Sequence, residues 1–512
     1  MKKTITLLAL CLIGTLSYAQ QAPVIQWQKC LGGTANDSAQ SIQPTPDGGF
    51  IMAGYTFSND GDVTGNHGSD AWVVKLSSTG SLQWQKCLGG TSSNQAYSIQ
   101  PTPDGGYIVA GFTSSTDGDV TGYHGGLGPD AWVVKLSSIG SLQWQKCLGG
   151  TSSDQAYSIQ STTDGGYILA GYTSSINGDV SGNHGGFDVW VVKLSSTGTL
   201  EWQKALGGTT NDYAYSIQTT ADGGYILTGQ TNSTNGDVTG NHGNGDAWVV
   251  KLSAMGALVW QKALGGSGID YAQSIQPTPD GGCIMAGYTS STDGDVTGYH
   301  GDSDAWVVKL SATGTIQWQK ALGGTDTDSS TSIQITTDGG YILAGLTGST
   351  DGDVSGNHGG IDAWVVKLSA TGTLEWQKTL GGTGNDLAYD IQPTTDGGNI
   401  LAFYTDSTNG DVTGNHGGND AWVVKLGPEL STTGFVKETL VVYPNPAKTL
   451  LTVQNNHQTP FEKIIITDLT GKIVLTQTAP NAQVNVAALA NGLYILTAFS
   501  GEEQWVSKFV KE

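Results

Sequence analysis

Two tryptophan-bearing phrases return along this chain at a near-constant interval, and the interval restricts what the chain can fold into. Trp-Gln-Lys begins at Trp27, Trp84, Trp144, Trp202, Trp260, Trp318 and Trp376, and Trp-Val-Val-Lys-Leu begins at Trp72, Trp132, Trp190, Trp248, Trp306, Trp364 and Trp422. A period of about 58 residues belongs to solenoids or propellers. Each unit holds four short runs of β-branched and aromatic residues. In the second copy they are Ala96 to Thr102, Tyr107 to Thr113, Ala131 to Leu136 and Leu142 to Leu148, with hairpin signals at Asp104-Gly105-Gly106 and Gly140. Four-stranded sheets in series describe propeller blades. A chain of 512 residues with 76 Gly and only 13% charged residues suits strands and turns rather than helices.

The phase of the repeat predicts how the ends meet. A lone Trp-Gln-Lys strand, Ile25 to Leu31, opens the series, and the last unit stops at Leu426, where Gly427-Pro428 replaces the usual hairpin. One strand is surplus at the start and one is missing at the end. If the first pairs onto the last unit, seven sheets are complete and no sheet edge is left open. The expected fold is therefore all-β, a seven-bladed β-propeller over residues 20–426 closed by an N-terminal strand.

The stretch from Asp130 through Trp132-Val-Val-Lys-Leu136 and Trp144-Gln-Lys-Cys-Leu-Gly-Gly150, followed by Asp164-Gly-Gly-Tyr-Ile-Leu-Ala-Gly-Tyr-Thr173, resembles the bacterial β-propeller repeat family known as SBBP. The resemblance spans Ile25 to Leu426 and implies the fold. It implies no particular activity.

Beyond a polar linker, residues 427–439, the repeats end and a second composition begins. Residues 440–512 alternate short strands with turns at Asp468-Leu-Thr-Gly471 and Asn491-Gly492, a pattern that suits a small β-sandwich. Tyr443-Pro-Asn-Pro446, Thr470-Gly-Lys-Ile-Val474, Leu489-Ala-Asn-Gly-Leu-Tyr-Ile495 and Lys508-Phe-Val-Lys511 resemble the type A sorting domain of the type IX secretion system of Bacteroidota. That resemblance implies a partner, the secretion machinery, then passage across the outer membrane, and removal of this domain with release or attachment to surface lipopolysaccharide. The other end agrees. Lys2-Lys3, the apolar run Ile5 to Leu16 and Ser17-Tyr-Ala19 read as a signal peptide over residues 1–19. Cys11 follows Leu10 where a lipobox needs a small residue, so no lipid anchor is expected, and no later run is long enough for a membrane span.

Four cysteines lie outside the leader. Cys30, Cys87 and Cys147 share one repeat position with Ala205, Ala263, Ala321 and Thr379, and with Cys283 they read as buried packing rather than a disulfide framework or a nucleophile.

One loop per unit offers oxygen ligands. It reads [Asp/Asn]-Gly-Asp-Val-[Thr/Ser]-Gly-[Asn/Tyr]-His-Gly. An EF-hand loop places its ligands at positions 1, 3, 5, 7 and 12 with Gly at 6, because a hard cation of calcium size takes six to eight oxygens. In five units the register fits: Asn177, Asp179, Ser181 and Asp188; Asn235, Asp237, Thr239 and Asp246; Asp293, Asp295, Thr297 and Asp304; Asp351, Asp353, Ser355 and Asp362; Asn409, Asp411, Thr413 and Asp420. In the first two units Asp70 and Asp130 fall out of step. Calcium is the only cofactor these residues suggest. The alternative is a turn-rich loop whose Asp and Asn side chains satisfy backbone amides. His67, His124, His184, His242, His300, His358 and His416 sit one per loop, without a second His or Cys close in sequence for zinc.

Charge narrows the partners. All 22 basic residues are Lys, against 44 acidic ones, for a net charge of −22. A chain without Arg and this acidic is unsuited to nucleic acid. Catalysis needs a particular acid, base or nucleophile at one place, and here nearly every polar residue recurs in each unit. The few departures include Asp390 for Ser, Phe403 for Gly and the Gly126-Leu-Gly-Pro129 stretch. The residues thus point to a monomeric, secreted or surface-displayed, non-enzymatic module that binds a glycan or a surface protein. A hydrolase or lyase at the axis and a purely structural surface protein are the competing readings.

Overall fold

The computed structural model describes residues 22–429, 440–454, 461–478, 483–500 and 503–512; the predicted leader and nearly all of the predicted linker lie outside them. The chain divides into two compact units at Glu429/Leu430. All regular structure among the described residues is β-strand.

In the first unit the strands form seven four-stranded antiparallel sheets. The third is typical: Asp154–Ser161, Tyr167–Thr173, Asp188–Leu194 and Leu200–Leu206, in sequence order from the inside out. The innermost strands of successive sheets pack on one another, and that of the first sheet, Asp37–Pro44, packs on that of the seventh, Asp386–Pro393. The third strands are buried along their length because both sheet faces are covered, which is why Trp-Val-Val reads as a continuous apolar run. Six of the seven outermost strands carry an exposed Lys, such as Lys204, which discourages pairing with another chain at the sheet edge.

The surplus strand does what the phase of the repeat requires. Ile25–Leu31 pairs antiparallel with Asp420–Leu426, and Trp422 donates its indole N–H to Gln28 at 2.7 Å. In each of the other sheets the equivalent bond lies within one hairpin, as from Trp190 to Gln203 at 2.9 Å. Phe50 and Trp72 of the first sheet share one core with Leu31, Ile400, Ala402 and Val423 of the seventh.

A belt of side chains runs around the inner strands. Ser41, Ser98, Ser158, Ser216, Ser274 and Ser332 each accept the backbone N–H of the Ile one sheet further on, at 3.2–3.4 Å. The seventh member is Asp390, whose carboxylate accepts Ile42 N–H at 3.0 Å. It also accepts the hydroxyls of Ser41 and Ser332 and the amide of Gln392, at 3.1–3.3 Å. One carboxylate thus ties the sixth, seventh and first sheets together where the chain closes on itself.

Each inner strand also contains a bulge. In the third sheet Ala156 pairs with Gly171 and Ser158 with Ala170, leaving Tyr157 unpaired between them. The facing glycine is required, since a Cβ at Gly171 would stand 1.9 Å from the Gln155 carbonyl oxygen. Only the seventh sheet departs, with Phe403 at this place, fully buried against Trp422.

The second unit has a three-stranded sheet, Val441–Tyr443, Leu450–Gln454 and Gln483–Asn485, and a four-stranded one, Ile473–Thr478, Lys463–Thr467, Gly492–Ser500 and Glu503–Lys511. Leu451, Val453, Ile464, Ile466, Leu496 and Phe509 form its core. At the predicted turn, Asp468 accepts the N–H groups of Thr470 and Lys472 at 2.9 and 3.1 Å.

Candidate functional site

The loops between second and third strands fold down onto the glycine-rich connector that enters the same sheet. In the third sheet Gly178, at a φ of +70°, lies so close to this connector that a Cβ would meet the Gly149 carbonyl oxygen at 2.2 Å. This docking uses the oxygens that the sequence aligned as calcium ligands. Asn177, Asn235, Asp293, Asp351 and Asn409 accept connector N–H groups at 2.7–3.0 Å. Asp179, Asp237, Asp295, Asp353 and Asp411 face the connector's first glycine N–H at 3.2–3.4 Å. Ser181, Thr239, Thr297, Ser355 and Thr413 accept the amide of a glutamine on the outermost strand, Gln203, Gln261, Gln319, Gln377 and Gln28. Asp188, Asp246, Asp304, Asp362 and Asp420 are fully buried and bind the loop histidine. The four positions are therefore directed at four different groups, and among the described residues no cluster of three or more His, Cys, Asp or Glu is placed to hold a metal ion. The linear register misses this because the partners lie on other segments, 26 residues away for Asn177 and Thr151.

The histidines are half-exposed. Nδ1 of each lies 2.6–2.9 Å from the buried Asp at the start of the third strand, and the same Asp oxygen accepts the histidine's own N–H. At the junction of the second and third sheets, Nε2 of His124 lies 3.8 Å from Asp179 of the next sheet.

Clefts open between other neighbouring sheets. Between the fifth and sixth, His300, Gln319, Lys320 and Asp353 line a cleft of about 370 Å³. Between the fourth and fifth, His242, Gln261, Lys262 and Asp295 line one of about 450 Å³. Between the seventh and first, His416, Gln28, Lys29 and Asp62 line one of about 550 Å³. Each offers donors and acceptors of both signs. A single copy of the sequence hides this set, because it is drawn from two successive copies.

Behind the clefts lie paired acids. Asp37, Asp154, Asp212, Asp270, Asp328 and Asp386, at the starts of inner strands, are fully buried. Each lies beside the buried Asp that begins the third strand of the preceding sheet. An ideal Cβ on Gly207 would be 2.4 Å from Asp212 Oδ2 and 3.2 Å from Asp188 Oδ1, so that glycine leaves room for both carboxylates. The Oδ1 atoms of Asp130, Asp188, Asp246, Asp304, Asp362 and Asp420 meet no donor among the described residues. Asp70 differs: Asn94 replaces the partner acid, and its amide approaches Asp70 Oδ1 at 3.4 Å.

The bulged residues of the inner strands are Gln40, Tyr97, Tyr157, Tyr215, Gln273, Thr331 and Tyr389, a position that varies between Gln, Tyr and Thr. Tyr97 stacks on Tyr157 with centroids 4.6 Å apart, Tyr157 meets Tyr215 edge-on at 5.5 Å, and Tyr215 meets Tyr271 at 6.0 Å. The sequence alone does not mark the bulge that gives this position a common direction.

The thiols of Cys30, Cys87, Cys147 and Cys283 are free and buried, and burial pushes each up to about 12, far from a reactive thiolate.

No curated protein matches the chain. Solved structures similar to it include PorZ, an essential bacterial surface component of the type-IX secretion system of Porphyromonas gingivalis, at 11% identity and a TM-score of 0.40, covering 94% of this chain and 60% of that one. The extracellular domain of the putative hybrid two component system BT4673 from B. thetaiotaomicron is similar at 10% identity and a TM-score of 0.41, covering 96% of this chain and 60% of that one. The chain thus spans about 60% of the length of both proteins. Residues 441–512 match the family described as secretion system C-terminal sorting domain, which directs this chain through type IX secretion to the cell surface or the extracellular space.

Proposed function

We propose that the first unit is a non-enzymatic binding module of the SBBP type, delivered by its sorting domain and presenting several equivalent clefts to a repetitive partner, a polysaccharide or another surface protein. The observation that supports this reading is the recurrence of one lining, His, Gln, Lys and Asp, at successive sheet junctions. Identical weak sites on a rigid frame raise avidity for a repeating target without any single strong contact. Asp390, the carboxylate that breaks the repeat, is engaged by four donors in the belt, which supports a structural role for it. Export begins with cleavage of the leader after Ala19, and the sorting domain is removed at the surface.

The test is retention on a polysaccharide-coated or cell-coated surface. Lys262→Ala and Lys320→Ala alone weaken retention slightly, and the double variant weakens it by more than the product of the single effects, as avidity requires. Equal retention of wild type and double variant sinks the multivalent reading. Turnover of any retained polysaccharide sinks the non-enzymatic one.

A further inference from the structure

We propose that the axial end of the inner strands forms a separate, single binding site for a neutral oligosaccharide, with Tyr97, Tyr157 and Tyr215 as its stacking wall. A β-bulge turns one side chain out of the ladder and re-aims it, and this device is repeated in every inner strand with a facing residue that accommodates it. Because the inner strands pack on one another around the series, the re-aimed side chains converge. The scaffold is constant while its cargo varies: tyrosines on the second, third, fourth and seventh sheets, Gln40 and Gln273 on the first and fifth, and Thr331 on the sixth. Structural need alone would favour one residue at all seven places, as it does for the adjoining Ile-Gln.

The chemistry of the wall selects the ligand class. The chain carries a net charge of −22, yet the second and fourth residues of all seven inner strands are Tyr, Gln, Ser, Thr or Leu, without a single charge. Aromatic faces beside amides and hydroxyls suit a ring with apolar C–H faces and hydroxyl edges. Burial pushes the phenols of Tyr97, Tyr157 and Tyr215 above the usual tyrosine range, so they remain neutral donors at any physiological pH. Tyr97 and Tyr157 are oriented by hydrogen bonds to Gln95 and Gln155 at 3.1 and 3.2 Å. The other bulged residues, Gln273, Thr331, Tyr389 and Gln40, supply one ring among three polar side chains, so the aromatic wall is continuous only over the second to fourth sheets, and one such wall makes the site single rather than sevenfold.

The experiment is calorimetric titration of the full chain with neutral xylo-, cello-, manno- and β-1,3-gluco-hexasaccharides, and with hexagalacturonate as the charged comparator. One neutral probe binds with a stoichiometry near one, and Tyr157→Ala or Tyr215→Ala weakens it roughly fivefold to tenfold, the loss expected for one stacking contact. Tyr157→Phe, which keeps the ring, binds within about threefold of wild type. Lys320→Ala in the outer cleft leaves this affinity unchanged. The proposal fails if no neutral probe binds, if hexagalacturonate binds as tightly, or if Tyr157→Phe loses as much as Tyr157→Ala. Binding near seven per chain that responds to Lys320→Ala and not to Tyr157→Ala also overturns it, while leaving the cleft reading intact.

Discussion

At one end of each sheet a lysine, buried in six of the seven, meets an aspartate of the tight turn; at the other end, at six sheet junctions, two buried aspartates face each other. Lys75, Lys135, Lys193, Lys251, Lys309, Lys367 and Lys425 pair with Asp47, Asp104, Asp164, Asp222, Asp280, Asp338 and Asp396 at 2.7–3.0 Å. Hydrogen bonds from Lys309 and then Thr278 hold Asp280 down at about 2. Burial instead pushes Asp420 up to about 6, against the pull of His416 and with Asp37 adding to the rise. The same residue type is thus an ordinary anion at one end and a proton holder at the other. The difference is set by whether a donor reaches the second oxygen. Where Asn94 stands in place of the acid, an N–H takes the position a shared proton would occupy, and Asp70 Oδ1 is no longer orphaned.

The largest effect should come from the buried carboxylate that is fully satisfied. Asp390→Ala strands the Ile42 N–H and two serine hydroxyls and should cost roughly 2–4 kcal/mol in chemical denaturation. Asp390→Ser, the residue of the other six sheets, should cost less than half of that. Equal losses would show that the carboxylate itself, not its place in the belt, carries the stabilisation.

Next comes the attempt to erase the exception. Asn94→Asp creates a seventh acid pair and should destabilise by roughly 1–3 kcal/mol at pH 7, the cost of a buried acceptor left unmet. At pH 4.5 the penalty should nearly vanish because the pair then shares a proton. A penalty independent of pH would remove the shared-proton account.

The wild-type pH profile sharpens the contrast through its two limbs. Burial raises Asp130, Asp154, Asp188, Asp212, Asp246, Asp304, Asp328, Asp362, Asp386 and Asp420 above the ordinary 3.8, so their stabilisation is complete below that value and is lost as pH rises, through about 6 for Asp420. The lysine-bound aspartates have lowered values, so their contribution is present above 3.8 and is lost as pH falls through about 2. Thermal unfolding temperature should therefore peak at about pH 4 to 5 and decline toward pH 7. The Asp212→Asn variant should flatten the decline. A peak above neutrality contradicts it.

Smallest of all is the expected response to calcium. The loop oxygens are already engaged with connector amides and glutamines, so millimolar calcium against chelator should shift the unfolding temperature by less than about one degree. A shift of several degrees would place a cation among the orphaned oxygens and end the comparison drawn above.

Much of the fold was legible because its signals are local. Trp-Val-Val marked the buried third strand, Asp-Gly-Gly the hairpin, and the phase of Trp27 against Trp422 the partner of the first strand. The site was less legible because its contacts join separate copies. Asp188 meets Asp212 across a connector, His300 shares a cleft with Asp353 of the next sheet, and Asn177 docks on Thr151. The calcium register matched a spacing along the chain, whereas these oxygens were selected by what lies beside them after folding. Tyr157 carried no local mark of its bulge except the glycine opposite, which reads equally well as any strand glycine.

The pairing of Ile25–Leu31 with Asp420–Leu426 also sets a timetable. A ring whose first-made piece seals its last-made gap stays unsealed until nearly the whole of that unit has been delivered, so an exported chain has the means to remain threadable for most of its journey and to lock only on arrival.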